Sequence, residues 1–131
     1  MARRHLAIFV KGVAEKILNS EKRVEIRLSK NRILPYLEIV KNDEILLKKS
    51  GGGVIGKVFV ENVLFYDHLT AKMVQALRDV HHEEAAMEDA FWKSKLTAKF
   101  ATVIFLKNPQ KFITSVVFKK NDRRAWLIIK D

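Results

Sequence analysis

The stretch ILNSEKRVEIR, Ile17 to Arg27, contains a change of hydrophobic period on which the reading of the whole chain turns. Upstream, Val13, Ala14, Ile17 and Leu18 follow the spacing of one helical stripe, with Lys11, Glu15 and Lys16 on the other side. From Arg23 the period is two: Val24, Ile26 and Leu28 alternate with Arg23, Glu25 and Arg27. A helix ending near Asn19 and Ser20 therefore leads through a turn into a strand expected to be half-buried, with one charged face. On such a strand Arg23, Glu25 and Arg27 would project at a spacing of about 7 Å. Glu25 would then lie between two guanidinium groups, which favour its ionised form. An ionised Glu25 accepts amino or imino hydrogens of a base, while the arginines hold phosphate oxygens. The plainer reading is an Arg-Glu-Arg ladder that pairs only with itself on an exposed strand. Lys22, at the turn, is either solvated or, if a cleft encloses it, a base or nucleophile-activating group.

Upstream of this passage, Leu6 to Val10 reads as a short buried strand bounded by charge and Gly12. Ser29 to Asn42, with Pro35, reads as a structured loop. Glu44 to Lys49 is the next strand, Ser50 to Gly53 a glycine turn, and Val54 to Tyr66 a long hairpin partner. The three glycines lack the lysine and Ser/Thr of a phosphate-binding P-loop, so a hairpin turn is the better reading. Leu69, Met73, Ala76, Leu77 and Val80 outline a helical stripe, and a second helical segment is expected from about Glu84 to Ser94, with Met87, Ala90 and Phe91. Three strands close the chain: Thr102 to Leu106, Phe112 to Lys119 and Ala125 to Ile129, separated by turns at Asn108-Pro109 and Asn121-Asp122. This order predicts an α+β fold with a mostly antiparallel, curled sheet: a small, partly open barrel capped by two or three helices.

The length of 131 residues is that of one domain spanning 1–131, and 48% hydrophobic residues suffice for one core. No apolar run is long enough to cross a bilayer, and Met1 to His5 lacks a signal-peptide core, so the expected location is the cytoplasm. With no cysteine, disulfide scaffolds, thiol catalysis and the usual structural zinc sites are excluded. His81, His82, Glu83 and Glu84 are consecutive, and helical neighbours diverge by about 100°, so no metal site is expected there. No cofactor is implied.

The net charge of +10 concentrates phosphates around the molecule. The cations are clustered: Lys22, Arg23, Arg27, Lys30 and Arg32 in one group, Lys48 and Lys49 in another, then Lys119, Lys120, Arg123 and Arg124. The acids gather at Glu83, Glu84, Glu88 and Asp89, which predicts a basic side and an acidic helix. Tyr36, Tyr66, Trp92 and Trp126 are candidates for stacking on bases, although the apolar runs around both tryptophans favour a core role.

The passage from Ser20 to Arg27 resembles the signature of the ASCH domain family, within the PUA-like superfamily: a helix, a turn written G-x-K, and a strand carrying E-x-R. Here it reads Ser20, Glu21, Lys22, Arg23, Val24, Glu25, Ile26, Arg27. NDEILLKKSGGGVIGKVFV (Asn42 to Val60), the helical HHEEAAMEDAFW and the closing DRRAW (Asp122 to Trp126) are similar to further passages of such domains. The resemblance implies a PUA-like barrel with a positively lined cleft that binds RNA or modified bases. One enzymatic branch deacetylates N4-acetylcytidine, using a lysine at the position of Lys22, a threonine three residues on, and a glutamate in the helical region. Ser20 replaces the usual glycine, and Glu25 stands where the threonine belongs, which argues against that reaction. The expected ligand is RNA or a nucleotide, with Lys22, Arg23, Glu25, Arg27, Lys30 and Arg124 as binding residues. The alternative is an amidohydrolase or ribonuclease, for which Lys22, Glu25 and Glu84 (or its neighbour Glu83) are the catalytic candidates.

Overall fold

A computed structural model of the chain describes residues 2–119 and 123–130. Among these, the elements are β1 (Arg4–Phe9), α1 (Val13–Leu18), β2 (Val24–Ser29), β3 (Glu44–Lys49), β4 (Val54–Tyr66), α2 (Ala71–Ala85), α3 (Asp89–Ser94), β5 (Phe100–Val116) and β6 (Trp126–Ile129). The strands form one sheet in the order β2-β5-β4-β3-β1-β6. β1 and β3 run parallel and the other neighbours antiparallel, in a strongly curled half-barrel, so the expected α+β architecture is the one adopted. No helix among the described residues is long and apolar enough to cross a membrane.

The curl has local causes. The β4–β5 ladder shifts register at Val54/Gly56, Lys57/Phe59 and Val60/Asn62, and the β3–β4 ladder at Leu47/Lys48. Each shift leaves at least one residue unpaired, bends the strand and increases its twist. One shift explains why β5 is a single strand where two were expected. Between the pairs Phe59↔Lys107 and Lys57↔Gln110, β5 advances three residues while β4 advances two. Asn108 takes φ 53° there. Pro109, which cannot donate to a ladder, thus occupies a bulge and not a turn, and the strand runs unbroken from Phe100 to Val116. The turn expected at Asn121-Asp122 lies outside the described residues.

Ala14 and Ile17 of α1 pack with Ala7, Phe9, Ile45, Leu47, Val58, Val60 and Ile104. A Cβ on Gly56 would stand 2.6 Å from both the Leu18 side chain and the Gln110 carbonyl oxygen, so only glycine lets α1 sit this close to the sheet. On the other face of β2 and β5, Val24, Ile26, Leu28, Ala101 and Val103 pack against Leu69, Val74, Leu77, Ala85 and Trp92. The stripe of α2 is rotated from the expected one. Its buried residues are Val74, Leu77, His81 and Ala85, while Met73 and Val80 are 40% and 71% exposed. Leu69 is buried before the helix begins, and Thr70 caps the first turn by accepting from the Met73 N–H. A stripe counted from Leu69 therefore starts on the wrong phase. The second helical segment is also shorter than expected: α2 continues to Ala85, Ala86 takes a left-handed φ of 50°, and α3 begins only at Asp89. Glu83 and Glu84 end a helix and do not start one.

β2 differs most from its expectation. None of its residues is exposed. Helices cover one face, and the end of β1 lies against the other, where the Arg27 guanidinium meets the Ile8 carbonyl and the Phe9 ring.

Candidate functional site

The turn that delivers Lys22 is tightly held. Ser20 has φ 66°, the Asn19 side-chain oxygen accepts from the Glu21 N–H at 3.0 Å, and the Lys22 N–H donates to the Lys16 carbonyl at 3.0 Å. Lys22 is 1% exposed. Its ammonium donates to the Ala85 carbonyl, and the Arg23 N–H donates to the Glu84 carbonyl at 2.7 Å. Carbonyls left open by the end of α2 are thus closed from the turn before β2, and a cation sits at the negative end of the helix dipole.

Glu25, 3% exposed, is the centre of the cluster. Its Oε1 lies 3.2 Å from Lys22 Nζ, and its Oε2 accepts from Arg27 Nε at 2.9 Å. Burial alone pushes this carboxyl up, but the Lys22 and Arg27 charges, with the hydrogen bonds both donate, outweigh it and hold Glu25 below the usual carboxylate range. Arg23 is not one of the flanking cations. It precedes the first pleated residue, Val24, and is exposed, so the alternation that carries Glu25 and Arg27 does not reach it. Lys22 takes that role. The Arg27 guanidinium also donates to the Ile8 carbonyl at 3.2 Å and lies 5.1 Å from the ring centres of both Phe9 and Trp126.

Two cavities open beside this cluster. The first, about 400 Å³, lies between the β1–α1 segment, β2 and the α2–α3 connection. Lys11, Lys16, Lys22, Arg27 and Lys95 line it, against Glu25 and Glu88. The second, about 460 Å³, shares Arg27, Leu28 and Lys95 with the first and adds Tyr36, Phe100, Thr102, Arg124 and Trp126. Of the residues named from sequence, Lys22, Glu25 and Arg27 converge on the first cavity, and Arg124 lines the second. Arg23 and Lys30 are exposed and line neither. The Glu84 side chain is likewise exposed and outside both, and contributes through its backbone carbonyl. Lys16, Glu88 and Lys95 were missed, because nothing in their local sequence distinguishes a lysine or glutamate facing a cavity from one facing water. Trp92 and Trp126 are core residues at 2% exposure, and Trp126 also walls the second cavity. His81 is buried, with its ring centre 5.8 Å from that of Phe105, while His82 is exposed, so the two imidazoles share no face.

A second polar network lies behind Trp126. His5 and Asp43, both 0% exposed, pair through Nε2 and Oδ2 at 2.8 Å, and the Trp126 indole N–H donates to His5 Nδ1 at 3.0 Å. Because Nδ1 accepts, His5 is neutral and Nε2 donates. Burial, partly offset by Asp43, lowers the His5 pKa. Asp43 is pushed up by burial but held below the usual range by the Arg3, His5 and Val40 donors together.

Neither a family model nor a curated protein matches the sequence. Solved structures do match. The crystal structure of ASCH from Zymomonas mobilis aligns over 98% of this chain and 88% of its own, with a TM-score of 0.77 at 16% identity. The chain has the ASCH fold. A single-substitution mutant of the Zymomonas mobilis protein aligns over 98% of this chain and 91% of its own, with a TM-score of 0.75 at 17% identity. The N-terminal domain of Staphylothermus marinus McrB, a PUA-like fold, aligns over 89% of this chain and 77% of its own, with a TM-score of 0.52 at 12% identity. At the turn before β2, Ser20 is in the left-handed region, where a glycine would be unstrained. The same turn aims Lys22 inward.

Proposed function

We propose that the chain binds RNA or a nucleotide in the first cavity, with phosphate oxygens on Lys22 and Arg27 and a base edge on Glu25. The observation that carries this reading is an unbalanced charge: two cations share one buried carboxylate in a cavity wall otherwise richer in lysine than in acid. An ammonium has three donors and a guanidinium five. Lys22 commits two, to Ala85 and Glu25, and Arg27 commits two, to Glu25 and Ile8. The remaining donors suit phosphate oxygens. Titration of short RNAs against salt tests the proposal. The logarithm of the binding constant should fall linearly with the logarithm of salt concentration, and Arg27→Ala should weaken binding by about ten- to a hundredfold, the worth of one or two charge-assisted hydrogen bonds. Failure to bind any RNA or nucleotide at low salt would sink it.

A hydrolase acting on nucleosides or RNA is the second reading, favoured by the buried Lys22–Glu25 pair in the cavity wall. An ionised glutamate in the place of a threonine nucleophile weighs against deacetylation. Incubation with N4-acetylcytidine and with single-stranded RNA decides it, and unchanged substrate in both removes this reading.

A further inference from the structure

We infer that the two cavities form one groove with two subsites, and that the ligand is a dinucleotide step of a single strand and not an isolated nucleoside. This rests on the reading that the first cavity takes a nucleotide. The partition between the cavities is made of Arg27, Leu28 and Lys95, which line both. Lys95 forms no ion pair among the described residues, and its ammonium lies 5.9 Å from the Phe91 ring centre. Arg27 has donors left after Glu25 and Ile8. A phosphodiester lying on this partition would meet both cations, with one nucleoside on each side.

The second cavity has the composition that such a neighbour needs. Among the described residues, its charged lining residues are Arg27, Lys95 and Arg124, with no carboxylate, and its aromatic residues are Tyr36, Phe100 and Trp126. Tyr36 is held edge-on by Phe65 and Phe100, with ring centres at 5.6 Å and 5.1 Å, and the Arg32 guanidinium lies 5.5 Å from the Tyr36 ring centre. A fixed aromatic ring with one cation against it is a platform for a base. At about 400 Å³ and 460 Å³ the cavities are each in the size range of small-ligand sites. Bases paired and stacked in a duplex cannot enter two separate cavities, so the strand is single.

The test compares the dinucleoside monophosphates ApA and UpU with 3′-AMP and 3′-UMP by titration calorimetry. Both kinds of probe carry one phosphate, and only the former carry a second base. The expected result is about five- to a hundredfold tighter binding of at least one dinucleotide, the contribution of one stacked base. Tyr36→Ala should remove most of that gain and leave the mononucleotides unchanged. Because Tyr36 also packs on Phe65 and Phe100, Ile33→Glu is the second variant. Ile33 is 60% exposed on the rim of the second cavity, so its replacement spares the core while placing an anion beside the strand. Mononucleotide binding with no gain from the second base overturns the inference and leaves the proposed function standing. So does a gain that Ile33→Glu and every folded Tyr36 variant leave intact. No binding of any probe overturns both.

Discussion

Two buried polar networks meet at Trp126, and they are built to different ends. In the Asp43–His5–Trp126 network every donor has its acceptor: Asp43 takes the Arg3, Val40 and His5 donors, and His5 takes the indole N–H. It lines neither cavity, except through the far face of Trp126. The Lys22–Glu25–Arg27 network is as deeply set at its centre, yet it has two cations for one carboxylate and faces open space. Burial of charge is therefore not what distinguishes a site from a lock. The first network joins β1, the start of β3 and β6 through groups that satisfy one another. The second leaves a positive charge uncompensated, which is why the proposed anionic ligand is assigned to it.

The sharpest way to break this contrast is Asp43→Ala. It strands the buried His5 donor and two part-buried backbone donors, and a loss of about 3 to 5 kcal/mol in urea unfolding is expected, with nucleotide affinity of the folded protein unchanged. A loss too small to resolve would show that the network is no lock. Next comes Glu25→Gln, which keeps the shape but leaves two cations unbalanced. A loss of about 2 to 3 kcal/mol is expected, partly recovered in the presence of phosphate or nucleotide, since a ligand bound only by the folded state stabilises it. Equal recovery in Asp43→Ala would erase the distinction.

Acid should separate the networks by pH. The folded His5 pKa is lowered, so the unfolded chain binds the extra proton first and stability falls as pH drops below about 6.5. The Glu25 pKa is also lowered, and its contribution, complete above the unfolded value of about 4.3, is lost as pH falls below it. His5→Gln should flatten the stability profile between about pH 6.5 and 5 and leave the Glu25 share of the acid limb unaltered. A profile identical to that of the parent would contradict the neutral, accepting His5. The smallest effect is expected from Ser20→Gly. Relief of the left-handed backbone, less the added freedom of the unfolded chain, should stabilise by about 0.5 to 1 kcal/mol. Affinity should not change, and a destabilised Ser20→Gly would mean that the serine does more than complete the turn.

Much of the fold was legible because local pattern and tertiary environment agree. β3 and β4 occupy the residues read from their alternation and from the glycines between them. The misreadings share one cause, which is that distant chain decides what a local pattern means. Pro109 marked a turn only until β4 offered it a bulge. The α2 stripe was counted from a leucine that lies ahead of the helix. In the candidate site, the Glu25 and Arg27 alternation identified both residues, but Arg23 was assigned the role that Lys22 fills, because period alone does not say where the strand begins.

Fold class, basic balance and the presence of Lys22, Glu25 and Arg27 on one short passage follow from the amino-acid order alone, since these depend on composition and on spacing along the backbone. It took the folded chain to bury Glu25 in the wall of the first cavity, to bring Lys22 to the end of α2, and to set Lys95 between two cavities. Those are consequences of which segments meet across the sheet, and solvent exclusion, on which the charge of a site depends, exists only once they have met.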